Sequence, residues 1–240
     1  MDMPQTSQKL VQWIKGRVSA ANLDGAVFGL SGGIDSSVVA ILCHHAFKQN
    51  ALGLIIPCHS NPQDEQHALA VAEKFNIPTK KIELDAIYNN LLESFSSGTR
   101  GASHLAEANL KARLRMATLY FHANQLGYMV IGSGNKSELA VGYFTKYGDG
   151  GVDILPLGSL VKCQVRELAA FLGVPQDIID KPPSAGLWHG QTDETEMGCS
   201  YEELDNYITG GKASADSRLK IEKMIAASYH KLNLPPMPDF

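Results

Sequence analysis

Cysteine is scarce in this chain of 240 residues. Cys43, Cys58, Cys163 and Cys199 stand far apart with no C-x-x-C pair, which argues against a disulfide framework or zinc ribbon and suits a reducing compartment. No apolar run nears membrane length: stretches such as Ala51 to Pro57 fall far short of the roughly 20 residues a span needs. The first residues, Met1 to Gln12, are polar and lack a signal-peptide core. Basic residues are not in excess, since 21 Lys and Arg against 25 Asp and Glu leave a net charge of -4. That removes the electrostatic footprint of a duplex nucleic-acid binder, though not of a pocket for a small anion. With 19% charged and 44% apolar residues, the chain is too apolar for a disordered tail. It contains no internal repeat, low-complexity tract or interior linker. The expectation is a cytoplasmic protein folded as one domain over residues 1–240, binding neither membrane nor nucleic acid.

What is present is an alternation of short β-like runs with helical stretches, the pattern of a parallel α/β sheet. Strands are expected at Ala26 to Leu30, Ala51 to Ile56, Lys80 to Leu84 and Tyr128 to Gly132. Helices are expected at Thr6 to Ala21, Asp35 to Lys48, Pro62 to Asn76, Asp85 to Phe95, Ser103 to Gly127, Lys162 to Gly173, Ser200 to Thr209 and Ala213 to Leu232. The periodicity in the first is Leu10, Val11, Ile14 and Val18 on one side. Ser96 to Gly101 reads as a loop. Asp180 to Ser200 has little periodicity and many turn residues, so a mobile lid is expected there. The helix from Ser103 carries two apolar stripes, Leu110, Leu114, Ala117 and Phe121 on one and Ala112, Met116, Leu119 and Ala123 on another. One stripe suffices for packing on a sheet, so the second needs a cover: a partner subunit, or the closing helices.

The sharpest feature is Gly29-Leu30-Ser31-Gly32-Gly33-Ile34-Asp35-Ser36-Ser37, between an expected strand and helix. Glycines allow close backbone approach and positive φ, and the helix N-terminus aims free N–H groups at an anion. Ser31, Ser36 and Ser37 add hydroxyls. The bland alternative is an ordinary Gly-Ser turn. A Walker loop would need a lysine here, and a dinucleotide fingerprint G-x-G-x-x-G; neither is present. Lys162 opens a later helix, where a cation is unfavourable, so an anion should compensate it.

The S-G-G-x-D-S loop resembles the pyrophosphate-binding loop of the N-type ATP pyrophosphatases. Four further segments resemble one branch, the ammonia-dependent NAD synthetases. They are Ala108 to Met116, Gly132-Ser133-Gly134-Asn135-Lys136-Ser137-Glu138, the loop from Thr145-Lys146-Tyr147-Gly148-Asp149 to Asp153, and Lys181-Pro182-Pro183-Ser184-Ala185-Gly186-Leu187 followed by Gln191-Thr192-Asp193-Glu194. His230-Lys231 completes the order, and the likeness runs over residues 5 to 233. It implies one three-layer, Rossmann-like domain of the adenine nucleotide α-hydrolase type, with a central parallel sheet flanked by helices and no glutaminase domain. It also implies amidation of deamido-NAD with ATP and ammonia, through a NAD-adenylate, giving NAD, AMP and pyrophosphate.

Carried over residue by residue, the resemblance assigns ATP to Gly29, Leu30, Ser31, Gly32, Gly33, Ile34, Asp35, Ser36, Ser133, Lys162 and Ser184. Asp35 and Glu138 become the Mg²⁺ ligands, two carboxylates being enough beside substrate phosphates and water; their ordinary alternatives are a helix cap and a first-turn acid. Arg113, Lys146, Asp153, His230 and Lys231 would hold deamido-NAD, with Arg115 an alternative to Arg113 because the two point about 200° apart on a helix. Lys162 would neutralise charge on the leaving pyrophosphate, and Asp149 would take a proton from ammonium; a turn-forming Asp-Gly is the rival for Asp149. The family further implies a homodimer with the dinucleotide at its interface. Another ATP pyrophosphatase, such as a tRNA thiolase, would bring paired cysteines and basic appendages, and a non-catalytic nucleotide binder would not need Glu138, Lys146, Lys162 and the lid together.

Overall fold

The computed structural model describes residues 1–96, 103–184, 186 and 190–239. Four parallel strands form the sheet: β1 (Gly25–Gly29), β2 (Ala51–Ile55), β3 (Thr79–Lys81) and β4 (Tyr128–Ile131), in the order β3-β2-β1-β4. A parallel bridge between Ile131 and Ile154 extends β4's edge. The strands alternate their side chains between two cores, as the pleat requires. Ala26, Phe28, Met129 and Ile131 face one core, while Val27, Leu54 and Val130 face the other. Both faces are covered, which is the usual condition of a parallel sheet.

On the first face lie α1 (Met3–Ala20), α2 (Ile34–Phe47) and α7 (Lys162–Leu172). Every residue of α2 from Val38 to Cys43 is at most 1% exposed, because α2 is wedged between the sheet and both neighbouring helices. Each aliphatic side chain buried this way stabilises the fold by roughly 1.5–3 kcal/mol. On the second face lie α4 (Asp85–Ser96) and α5 (His104–Leu126). The helix α3 (Pro62–Phe75) is capped by Asn61, whose side chain accepts from the Gln63 N–H. Three short helices, α6 (Lys136–Val141), α8 (Gln176–Asp180) and α9 (Asp193–Met197), and two closing ones, α10 (Tyr201–Ile208) and α11 (Ala215–Ser228), complete the described elements.

The strands and long helices fall where expected within a few residues, but β3 is displaced to Thr79–Lys81. Short α9 lies in the stretch expected to be a lid, and α6 and α8 where no helix was expected. The signal for α6 was present as Asn135 and Glu138, which close a reciprocal capping box. Most of the Ser96 to Gly101 loop, and Ala185 and Leu187 of the lid motif, lie outside the described residues. The closing helices pack chiefly on α6 and α7 rather than on α5.

With the strand order reversing direction of travel between β1 and β4, the loops leaving their carboxyl ends diverge there. That crevice is where open α/β sheets bind ligands.

Candidate active site

A cleft of about 790 Å³ opens at this point, within the range of small-molecule sites. Its floor is the loop after β1. Gly32 adopts φ +76°, and a side chain there would run into the Asp64 carbonyl of α3, so only glycine fits. The serines lace the loop from inside: Ser36 Oγ donates to the Gly33 carbonyl at 2.9 Å and accepts from the Ser31 N–H at 3.2 Å. Ser37 Oγ also donates to the Gly33 carbonyl, and Ser37 is wholly buried, so its hydroxyl shapes the loop rather than facing the cleft. Gly33 caps α2 with no side-chain bond, so no cap side chain takes up the first N–H groups of that helix, whose residues Ile34, Asp35 and Ser36 line the cleft.

Above the loop, three charged groups from three elements meet. Lys162, 2% exposed, places Nζ 2.6 Å from Asp35 Oδ2 and 3.3 Å from Glu138 Oε1. The other Asp35 oxygen accepts from Asn135 Nδ2 at 2.9 Å, and the other Glu138 oxygen accepts from the Asn135 N–H at 3.1 Å. Asp35 is therefore not a helix cap, whereas Glu138 is both a capping acid and a member of the cluster. Burial alone would discharge Lys162, but the carboxylates of Asp35 and Glu138 outweigh it and raise its pKa. Burial pushes the Glu138 carboxyl up to about 7, with Lys162 opposing and Asp35 adding to the rise.

The cation at the start of α7 is compensated as anticipated, and by protein groups. Besides Asp35 and Glu138, buried Asp205 of α10 accepts from the Cys163 N–H at 2.8 Å and from Ser137 Oγ at 2.5 Å. Sequence reasoning missed Asp205, since nothing in its local pattern marks it as the partner of a helix 40 residues upstream.

Further along the cleft, Asp149 Oδ1 accepts the Thr145 N–H at 2.9 Å. Burial raises its pKa, so this carboxylate both fixes the 145–149 turn and lines the cleft. Lys231 donates to the carbonyls of Gly142 and Phe144 at 2.7 and 2.9 Å, and Lys146 Nζ donates to the His230 carbonyl at 2.6 Å. The C-terminal pair is thereby pinned to the cleft wall. Exposed Arg113 donates to the Lys146 carbonyl at 3.4 Å, while Arg115 turns inward to the Ile56 carbonyl at 3.0 Å and Ser60 Oγ at 3.1 Å. Both arginines line the cleft.

From the next segment, Lys181 pairs with Asp64 of α3. Ser184 lines the cleft and accepts the Gly186 N–H at 3.1 Å. Ser133 lines it from the loop after β4.

Of the residues singled out in the sequence, Gly29, Leu30, Ser31, Gly33, Ile34, Asp35, Ser36, Arg113, Ser133, Glu138, Lys146, Asp149, Lys162, Ser184, His230 and Lys231 line one cleft. Gly32 packs beneath the loop. Asp153 is not brought there: it is exposed, and its carboxylate accepts from the Val130 N–H at 2.8 Å and the Tyr120 hydroxyl at 2.9 Å. Among the described residues no group of three or more His, Cys, Asp and Glu is arranged to hold a metal. The pair Asp35 and Glu138 suits a hard cation that takes its other ligands from phosphates and water. The ammonium lodged between them marks where such a charge is balanced.

The NAD synthase family model matches residues 6–235. The chain is 47% identical over 235 residues to the NH(3)-dependent NAD(+) synthetase of Carboxydothermus hydrogenoformans, covering 98% of this chain and 97% of that protein. Among solved structures, an NMN synthetase from Francisella tularensis superposes with a TM-score of 0.96 at 42% identity, covering 100% of each chain. An NH3-dependent NAD synthetase from Campylobacter jejuni, in complex with the nitrate ion, gives a TM-score of 0.83 at 29% identity, also over 100% of each. No described helix is long and apolar enough to cross a membrane.

Proposed function

The chain belongs to the NAD synthase family, and from that premise we propose that its cleft amidates deamido-NAD to NAD with ATP and ammonia, releasing AMP and pyrophosphate. The observation that carries this reading is the meeting of Asp35, Glu138 and Lys162 over the glycine-rich loop, with Lys162 Nζ 2.6 Å from Asp35 and 3.3 Å from Glu138. We propose that the unit acts in the cytoplasm as a homodimer.

The loop from Ser31 to Ser36 and the start of α2 bind the phosphates of ATP, and Ser133 and Ser184 add hydroxyl contacts. Asp35 and Glu138 would hold Mg²⁺, which when bound neutralises charge on the phosphates. The nicotinate carboxylate attacks the α-phosphorus, a P–O bond breaks, and pyrophosphate leaves against the Lys162 ammonium. The resulting acyl-adenylate is attacked at its carbonyl carbon by ammonia, AMP departs with the C–O bonding pair, and the new nitrogen gives its extra proton to the departing phosphate. Ammonium must first lose a proton, and Asp149 takes it; burial raises its carboxyl pKa, which strengthens it as a base. Arg113, Lys146, His230 and Lys231 face the dinucleotide's pyrophosphate, riboses and free carboxylate. Asp153, outside the cleft, contributes to that substrate only if the binding surface continues beyond one chain.

Incubating the protein with ATP, Mg²⁺, ammonium chloride and deamido-NAD should yield AMP and NAD in equal amounts. Glutamine in place of ammonium, with free ammonia scavenged, should yield neither. A second reading has its own observation, the 0.96 TM-score with an NMN synthetase: the acid amidated is then nicotinate mononucleotide. Comparing kcat/KM for the two acids under one set of conditions decides between them.

A further inference from the structure

Tyr201 stands where three of these groups converge, yet neither sequence nor resemblance gives it a role. It opens α10, is 2% exposed, and points its hydroxyl between two carboxylates. The oxygen lies 2.9 Å from Asp193 Oδ2 and 3.4 Å from Glu138 Oε1. Its ring centre is 4.8 Å from Lys162 Nζ, within reach of a cation–π contact. Asp193 is itself 4% exposed and sits at the end of the segment that carries Lys181 and Ser184. From its far side Tyr143 donates to Glu196 Oε2 at 2.7 Å and stands 3.2 Å from Asp193 Oδ1. Four residues on from Tyr201, and so on the same helical face, Asp205 holds the start of α7.

We propose that Tyr201 is a positioning residue of the reaction centre, its single hydroxyl tying Asp193, the first residue of α9, to the carboxylate of Glu138. The inference rests on the reading of the cleft as a Mg²⁺–ATP site. A phenol has one proton to donate, and both neighbours are acceptors, so the shorter bond goes to Asp193 and the weaker contact to Glu138. Two buried carboxylates without a donor between them repel and lose solvation; one of them would turn away, taking either the start of α9 or the cation site with it. A phenol carries its proton at neutral pH, so the hydroxyl is available as the donor. A phenylalanine would fill the same space and keep the ring over Lys162 while removing only the tie.

The test is calorimetric titration with a non-hydrolysable α,β-methylene ATP analogue, with and without Mg²⁺, on the full chain. Y201F should keep the native circular dichroism spectrum, bind the analogue alone as the unsubstituted protein does, and bind it with Mg²⁺ about tenfold more weakly. D193A, which removes the acceptor where an asparagine would still offer an amide oxygen to the phenol, should show a similar loss, and the double variant should be no weaker than either single one, because both remove one link. Unchanged Mg²⁺-dependent binding in Y201F overturns the proposal, as does a double variant whose losses multiply to about a hundredfold. If Y201F does not fold, D193A decides alone: about tenfold weaker Mg²⁺-dependent binding upholds the link and unchanged binding overturns it. Amide formation by the unsubstituted chain is scored separately, so its absence counts against the proposed reaction while analogue binding still decides Tyr201.

Discussion

Lys162 and Asp35 lie 127 residues apart in the chain and 2.6 Å apart in space. Each sits in the first turn of its helix, Lys162 in α7 and Asp35 in α2. These two helices pack against each other across the first core, so the ion pair is set by the same contacts that build the fold. Its members stand in the first turns of two separate helices, and rotation of either helix would break it.

Replacing Lys162 with methionine should therefore damage both stability and chemistry. Removing one partner of a buried ion pair costs about 3–5 kcal/mol, and the low end applies here because Glu138 can take up a proton. Asp35→Ala leaves Lys162 paired with Glu138, so its stability cost should stay near ~1 kcal/mol. Both variants should release AMP at least about a hundredfold more slowly, the loss expected when charge on the leaving group goes unopposed. Thermal melts and AMP release separate the two effects; full turnover in either variant contradicts the assignment.

Glu138 makes the metal-free protein's stability depend on pH, and the sign follows from its raised pKa. Its ordinary value is 4.5, and burial, first among the causes, lifts it to about 7 in the folded chain. Between these values the unfolded chain has released the proton while the folded chain keeps it. Stability must then fall as pH rises from about 4.5 to 7, by up to ~3 kcal/mol, and level off above. Urea melts in the presence of a chelator should show this fall in the unsubstituted protein and not in Glu138→Gln. Parallel curves for the two would remove Glu138 as the cause.

Most of what made the cleft legible in the sequence is local. The glycine-rich turn between an apolar strand and an apolar helix announces an anion site by itself, and the placement of β1, β2 and β4 follows from short apolar runs. What was not legible is long-range or short. Asp205 and Tyr201 act on groups 42 and 63 residues away, and no periodicity encodes such a partner. The five- and six-residue helices α6, α8 and α9 are too brief to show a hydrophobic stripe, so only caps such as Asn135 and Thr192 betray them. Asp153 was placed with the dinucleotide by motif alone, and its bonds to the Val130 N–H and Tyr120 show that it also secures the loop after β4.

The two arginines of α5 should separate cleanly. Arg115 makes two hydrogen bonds to the end of β2 and its following turn, and burial works against its charge. Arg115→Ala leaves the Ile56 carbonyl without that donor, at a cost of about 1–3 kcal/mol. Arg113 is exposed with one long bond, so Arg113→Ala should leave the melting temperature within about a degree, a surface change being worth under ~0.5 kcal/mol. Its KM for the dinucleotide should rise about tenfold, the loss of one charge-assisted contact. The opposite pattern would exchange their roles.

Assembly is the remaining prediction, and α5 carries it. Of its second stripe, Leu110 and Leu114 pack partly against the inner core, but Ala117 is exposed and Phe121 is 58% exposed. Ile87 and Phe95 of adjacent α4 are exposed at 50% and 61%. The closing helices lie chiefly on α6 and α7, so this face is not their seat. A second copy related by a twofold axis is the commonest cover for such a surface, and it would extend the substrate surface past the cleft edge toward Asp153 and Tyr120. Light scattering should return about 52 kDa, twice the chain mass of 26.0 kDa. Phe121→Asp should shift that mass toward the monomer, since burying an unpaired charge costs several kcal/mol. It should also raise KM for deamido-NAD more than KM for ATP, because the ATP end of the cleft is built within one chain. A monomer that keeps its full rate on dilution would show that the cleft is complete without a partner.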